Sequence, residues 1–63
     1  MAGIVIGTEL IGVCPGITIE KAMISLGRHP DAFLFFVDGK PVPMTLTIAD
    51  GMEVSALRVA SGG

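Results

Sequence analysis

Short apolar runs alternate with turn residues along this chain, and their spacing predicts both strands and a helix. Gly3-Ile4-Val5-Ile6-Gly7 is short and rich in β-branched residues, which is the signature of a strand. Gly7-Thr8-Glu9 reads as a turn, and Leu10-Ile11-Gly12-Val13 as a second strand paired back on the first. Cys14-Pro15-Gly16 ends that strand, since proline removes a backbone donor and glycine tolerates turn dihedrals. The period then changes: Ile19, Ala22, Met23 and Leu26 recur at i, i+3, i+4 and i+7 and share one face of a helix over roughly residues 19–26. Thr18 supplies an N-cap oxygen, Glu20 suits the positive end of the helix dipole, and Gly27 followed by Pro30 marks the stop.

The second half returns to strand periodicity. Phe33-Leu34-Phe35-Phe36-Val37 is apolar on both faces and suits a strand covered on at least one side. Asp38-Gly39 is a tight-turn signal, and Lys40 to Val42 pairs back as a short strand that Pro41 and Pro43 confine to an edge. Thr45 to Ala49 fits either a short strand or one helical turn. Asp50-Gly51 is a further turn. Met52 to Val59 is the last strand, with Met52, Val54 and Ala56 on one face and Glu53, Ser55, Leu57 and Val59 on the other. The order strand, strand, helix, strand, short strand, strand predicts an α+β domain over residues 1–59. The expected arrangement is a β-grasp, a mixed sheet of four to five strands with one helix across it and with the N-terminal hairpin and last strand at its middle. Ala60-Ser61-Gly62-Gly63 has no side chain able to anchor it and is expected to be a flexible tail.

Composition narrows the function. The chain has 63 residues, enough for one core, and a core this small supplies roughly 3–5 kcal/mol net. That leaves little for an enclosed active site and favours a binding or carrier module. Hydrophobic residues make up 51% and charged residues 16%, which excludes intrinsic disorder and predicts apolar surface left for a partner. Its longest apolar run, Ala32 to Val37, is far too short to span a bilayer, and the N-terminus has no signal-peptide pattern. The basic residues Lys21, Arg28, Lys40 and Arg58 do not cluster in the sequence and the net charge is −2, so nucleic-acid binding is not expected. Cys14 is the single cysteine, so no internal disulfide forms, which fits a reducing, cytoplasmic compartment.

Two segments then resemble a known family. Val37-Asp38-Gly39-Lys40-Pro41-Val42-Pro43 resembles the Asn-Gly-x-x-Val-Pro turn of thiamine-pathway sulfur carriers. Ile48-Ala49-Asp50-Gly51-Met52-Glu53-Val54-Ser55-Ala56-Leu57 resembles the Leu-x-Asp-Gly-Asp-x-Val run before their last strand, and Gly62-Gly63 resembles their terminus. The small subunit of molybdopterin synthase and the small archaeal ubiquitin-like modifiers share this pattern. Asp38 stands where the carriers usually have Asn, Met52 stands where they have an acid, and Ala60-Ser61 departs from their approach to the diglycine.

The resemblance implies chemistry at the Gly63 carboxylate and no catalytic residue of the chain's own. An E1-like adenylating enzyme would use ATP, which the chain itself does not hold stably, to join Gly63 to AMP. A persulfide-bearing desulfurase would then supply sulfur to give a thiocarboxylate for a sulfur-accepting synthase. Attack by an enzyme thiol and then a lysine would instead attach Gly63 to a target protein, as a ubiquitin-like modifier. A non-reactive β-grasp interaction module is the alternative of another class. Gly62 and Gly63 suit a narrow channel because they lack a Cβ, and Ala60 and Ser61 keep the approach slim.

Leu57, Val59, Ala60 and Ser61 are the expected partner-docking residues. The three phenylalanines cannot all point inward, so that strand either packs on both faces, forms a dimer contact, or joins Leu57 and Val59 in docking a partner. Other candidates have blander readings. Cys14 and His29 are too few for a structural zinc site, with Cys14 expected to be a buried or half-buried thiol and His29 to lie in an exposed loop. Asp38 and Asp50 each precede a glycine, so turn formation explains both without an acid–base role. Lys21 and Lys40 could accept conjugation, as any exposed lysine can. Gly3, Gly7 and Gly12 lack the helix and lysine of a phosphate loop.

Overall fold

The computed structural model describes residues 1–59. Its elements are β1 (Ala2–Ile6), β2 (Glu9–Val13), α1 (Ile19–Ser25), a 3₁₀ turn (Pro30–Ala32), β3 (Phe33–Val37), β4 (Lys40–Val42) and β5 (Glu53–Arg58). The five strands form one mixed sheet in the order β2-β1-β5-β3-β4, with β1 and β5 parallel and the other neighbours antiparallel. With the helix packed across one face this is a β-grasp-like α+β domain. β5 is the central strand, as expected, and β1 lies beside it. β2 does not share the middle: it is an edge, because β5 takes the free side of β1 and leaves β2 with a single neighbour.

The helix forms where the apolar period predicts. Thr18 is the N-cap, its Oγ1 accepting from the Lys21 N–H at 3.3 Å. Gly27, at φ 76°, ends the helix. Its N–H donates to the Ile24 carbonyl and the Arg28 N–H to the Met23 carbonyl, both at 2.9 Å, a Schellman closure that needs the left-handed residue. Ile19, Ala22 and Met23 are buried against Ile4, Phe35, Val54 and Ala56 of the sheet, and Leu26 packs on that cluster half-buried. The Asp38-Gly39 turn has φ of 53° and 77°, the paired positive values of a type I′ hairpin. Asp tolerates them better than most side chains.

Residues 43–49 hold neither a sheet strand nor a helical turn. Met44, Leu46 and Ile48 point toward the core and Thr45 and Thr47 outward, a strand-like alternation, but the backbone partners are the residues that lead into α1. The Ile19 and Glu20 N–H groups donate to the Leu46 and Met44 carbonyls (3.0 and 2.9 Å). The Ile48 N–H donates to Ile17, and the Ile48 carbonyl accepts from Gly16, both at 2.8 Å. The segment thus satisfies two of the orphan donors at the helix start and buries Ile48 completely. The 3₁₀ turn Pro30–Ala32 was not foreseen either; Pro30 at its start is compatible with a helical φ and sacrifices no needed donor.

Candidate functional site

β5 carries the chain along the centre of the sheet to Arg58 and Val59. There the Val59 N–H donates to the Ala32 carbonyl at 3.0 Å, fixing the last described residue to the turn before β3. Ala60, Ser61, Gly62 and Gly63, which carry the expected chemistry and part of the expected docking, lie outside the described residues. What can be built is the surface from which they start.

That surface follows from strand alternation. Ile4, Ile11, Val13, Phe35, Val42, Val54 and Ala56 face the helix, so Val5, Leu10, Ser55, Leu57, Leu34, Phe36 and Pro41 face the other way. Leu57 is 58% exposed and Leu34, its register partner on β3, is 51% exposed. Phe36, half-buried, lies opposite Ser55 and Pro41. Of the phenylalanines, Phe33 and Phe35 turn to the helix side, their ring centroids 6.4 Å apart, while Phe36 turns outward. The expected docking residue Leu57 is therefore on an exposed apolar face opposite the helix. Val59 differs: it is half-buried and its backbone is tied to the 3₁₀ turn. Leu34 belongs with Leu57; an antiparallel register of Phe33–Val37 on the last strand was the signal that would have found it.

The basic residues require a correction. Arg28 and Arg58, thirty positions apart in sequence, line one open concavity of about 630 Å³ together with Ile6, Glu9, Phe33 and Leu57. His29 joins both arginines in an adjoining hollow of about 170 Å³. The cause is topological: β5 runs antiparallel to β3, so Arg58 pairs with Phe33, and the connection from the helix passes the same end of the sheet. Two cations therefore lie together near the end of β5.

Cys14 also departs from expectation. It is exposed, because it follows the end of β2 and precedes the Pro15-Gly16 turn instead of facing the core. His29 is exposed at the start of the 3₁₀ turn, as expected. Among the described residues no three His, Cys, Asp or Glu side chains come together as metal ligands. Asp50 pairs with the N-terminal ammonium of Met1 across the turn before β5, and both groups are largely exposed. Among the described residues no helix is long and apolar enough to cross a membrane. Compared with known families and curated proteins, the chain matches no family model and no curated relative.

Proposed function

We propose that this protein is a carrier whose reactive group is the Gly63 carboxylate, activated by a partner adenylating enzyme. The observation that supports this reading is the exposed Leu34–Leu57 pair near the end of β5 in a β-grasp-like sheet, with Gly62-Gly63 following that strand in the sequence after Val59, Ala60 and Ser61. An apolar face beside the end of β5 gives a partner something to hold, and the slender residues Ala60 to Gly63 suit a narrow site.

The chemistry is balanced as follows. A carboxylate is a poor electrophile, so its oxygen attacks the α-phosphorus of ATP on the enzyme and pyrophosphate leaves. The acyl adenylate then has AMP as leaving group. A persulfide on a desulfurase or on the enzyme attacks the carbonyl carbon, AMP departs, and an acyl disulfide forms. A second thiol cleaves the S–S bond, becoming part of a disulfide itself, and leaves the thiocarboxylate on Gly63. Stabilisation of charge at the phosphates falls to the enzyme's own donors and metal.

Sulfur carriage is the first reading because the Asp38-Gly39 and Asp50-Gly51 segments resemble the thiamine-type carriers; transfer of Gly63 to lysines of other proteins begins with the same activation. Pyrophosphate exchange with an adenylating enzyme from the same cells tests the shared step. The wild-type chain should support exchange, and Gly63→Ala or a residue added after Gly63 should sharply reduce it while the domain stays folded. Undiminished exchange with both variants would overturn the mechanism.

A further inference from the structure

The two edges of the sheet are built differently. β4 has three residues, beginning with Lys40 and centred on Pro41. A proline and a lysine on an edge both discourage a foreign strand. β2, the opposite edge, has neither, and it runs in unbroken register with β1 over all five residues. The direction of its free backbone groups follows from the neighbouring ladder. The Gly3 N–H donates to the Met52 carbonyl at 3.0 Å, on the β5 side of β1. Gly3 thus turns away from β2, and Gly3 with Gly12 is a non-hydrogen-bonded pair. Because bonded and non-bonded pairs alternate in an antiparallel ladder, Ile4 with Ile11 is bonded, and Leu10 and Gly12 aim their N–H and C=O groups outward.

The side chains around those groups are bare as well. Met1 is 86% and Leu10 66% exposed. Met1 Cε and Leu10 Cδ1 lie over Gly12 and Gly3, each 2.9 Å from where a Cβ would stand.

We propose that β2 is a self-pairing edge whose occupant is a second copy of this chain, joined antiparallel about a two-fold axis at Ile11. In that register Leu10 lies opposite Gly12 of the second copy, Ile11 opposite Ile11, and Glu9 opposite Val13. The two Leu10–Gly12 pairs are then the hydrogen-bonded ones, so every outward group found above gains a partner. The exposed Met1 and Leu10 side chains, which lie over Gly12 and Gly3 within each copy, then meet across the seam as one apolar strip. Charge does not oppose the pairing: the two Glu9 backbone positions fall four strand positions apart, roughly 14 Å at ~3.4 Å per residue, beyond the Debye length of about 8 Å. A strand of another protein would find the same backbone, but a second copy brings its own exposed Met1 and Leu10 to the same face of the seam, apolar against apolar. A contact confined to one five-residue strand belongs with small interfaces, so the dimer is weak and concentration-dependent. It leaves Leu34 and Leu57 open and does not depend on Gly63.

Amide spectra and translational diffusion of the full chain, diluted from about 1 mM to about 50 µM, test this in the affinity range of small interfaces. The expected result is a concentration-dependent shift confined to Ala2 and residues 8–14, with slower diffusion at the high end. Gly12→Pro, which deletes one outward donor, and Leu10→Lys, at an exposed position, should each abolish the effect. If Gly12→Pro unfolds the chain, Leu10→Lys alone decides. No concentration dependence, a shift that survives Leu10→Lys, a shift mapping to Leu34 and Leu57, or binding only of a foreign extended peptide would overturn the proposal.

Discussion

Ile48 is fully buried although it belongs to no helix or strand, which makes Ile48→Ala a direct probe of how the 43–49 segment holds the domain. The substitution removes three carbons, worth about 2.4 kcal/mol of transfer free energy at ~0.8 per carbon. A cavity term adds to this wherever the surroundings cannot collapse. Here the Ile48 backbone is held on both sides, to Ile17 and to Gly16 at 2.8 Å, so the loop cannot move in to refill the space. Within the ~2–5 kcal/mol span of buried aliphatic-to-alanine changes, the loss should therefore be about 3–4 kcal/mol. Against a total of roughly 3–5 kcal/mol for so small a core, the variant should sit near its unfolding midpoint at 25 °C without denaturant. The chain has no Trp or Tyr, so far-UV circular dichroism in urea is the suitable assay. Ile24→Ala, at a helix position 62% exposed, is the control and should change stability by under about 0.5 kcal/mol. A loss under about 1 kcal/mol for Ile48→Ala would refute the reasoning that this loop is a core element.

Other outcomes follow from the same geometry. Leu57→Asp should leave the melting temperature within a few degrees, because Leu57 is 58% exposed, while weakening adenylation by the partner enzyme at subsaturating carrier; a melted domain would assign Leu57 to the core instead. Asp38→Val should cost about 1–2 kcal/mol in urea unfolding, since a β-branched residue must adopt φ 53°, and Asp38→Asn should be nearly neutral; equal stability of Asp38→Val would contradict the turn assignment. Thr18→Ala should cost only about 0.5 kcal/mol, the low end for an N-cap, because the 3.3 Å bond is long and two neighbouring helix donors already bond to Leu46 and Met44. A loss near 2 kcal/mol would show that the cap carries more of the helix start than this geometry gives it.

Local pattern was enough for the elements and not for what joins them. Phe33–Val37 and Lys40–Val42 were legible to the residue because an apolar run, an Asp-Gly turn and a proline bound them on each side. The helix was legible from its period, with Ser25 and not Leu26 as its last residue. Residues 43–49 were not, because their hydrogen bonds go to residues 16–20, and no periodicity encodes a pairing across that distance. The edge position of β2 is likewise a consequence of β5 choosing β1 as its parallel neighbour. Part of the site was legible: alternation put Leu57 on the face away from the core. Leu34 and the Arg28–Arg58 pair came only with the β3–β5 register, which is a tertiary fact. Cys14 defeated the composition rule that a lone thiol is buried, because the strand before it ends one residue earlier.

The central claim is chemistry at Gly63, and intact-mass analysis of the native protein purified from its own cells tests it most directly, with and without a thiol-alkylating reagent. The account predicts a chain ending at Gly63 with one oxygen exchanged for sulfur, alkylated at that end and absent from a Gly63 deletion. Larger species bearing Gly63 in amide linkage to lysine would keep the activation step and replace sulfur carriage by conjugation. A chain that continues past Gly63, or one that ends there and carries neither modification under sulfur-demanding growth, would contradict the account.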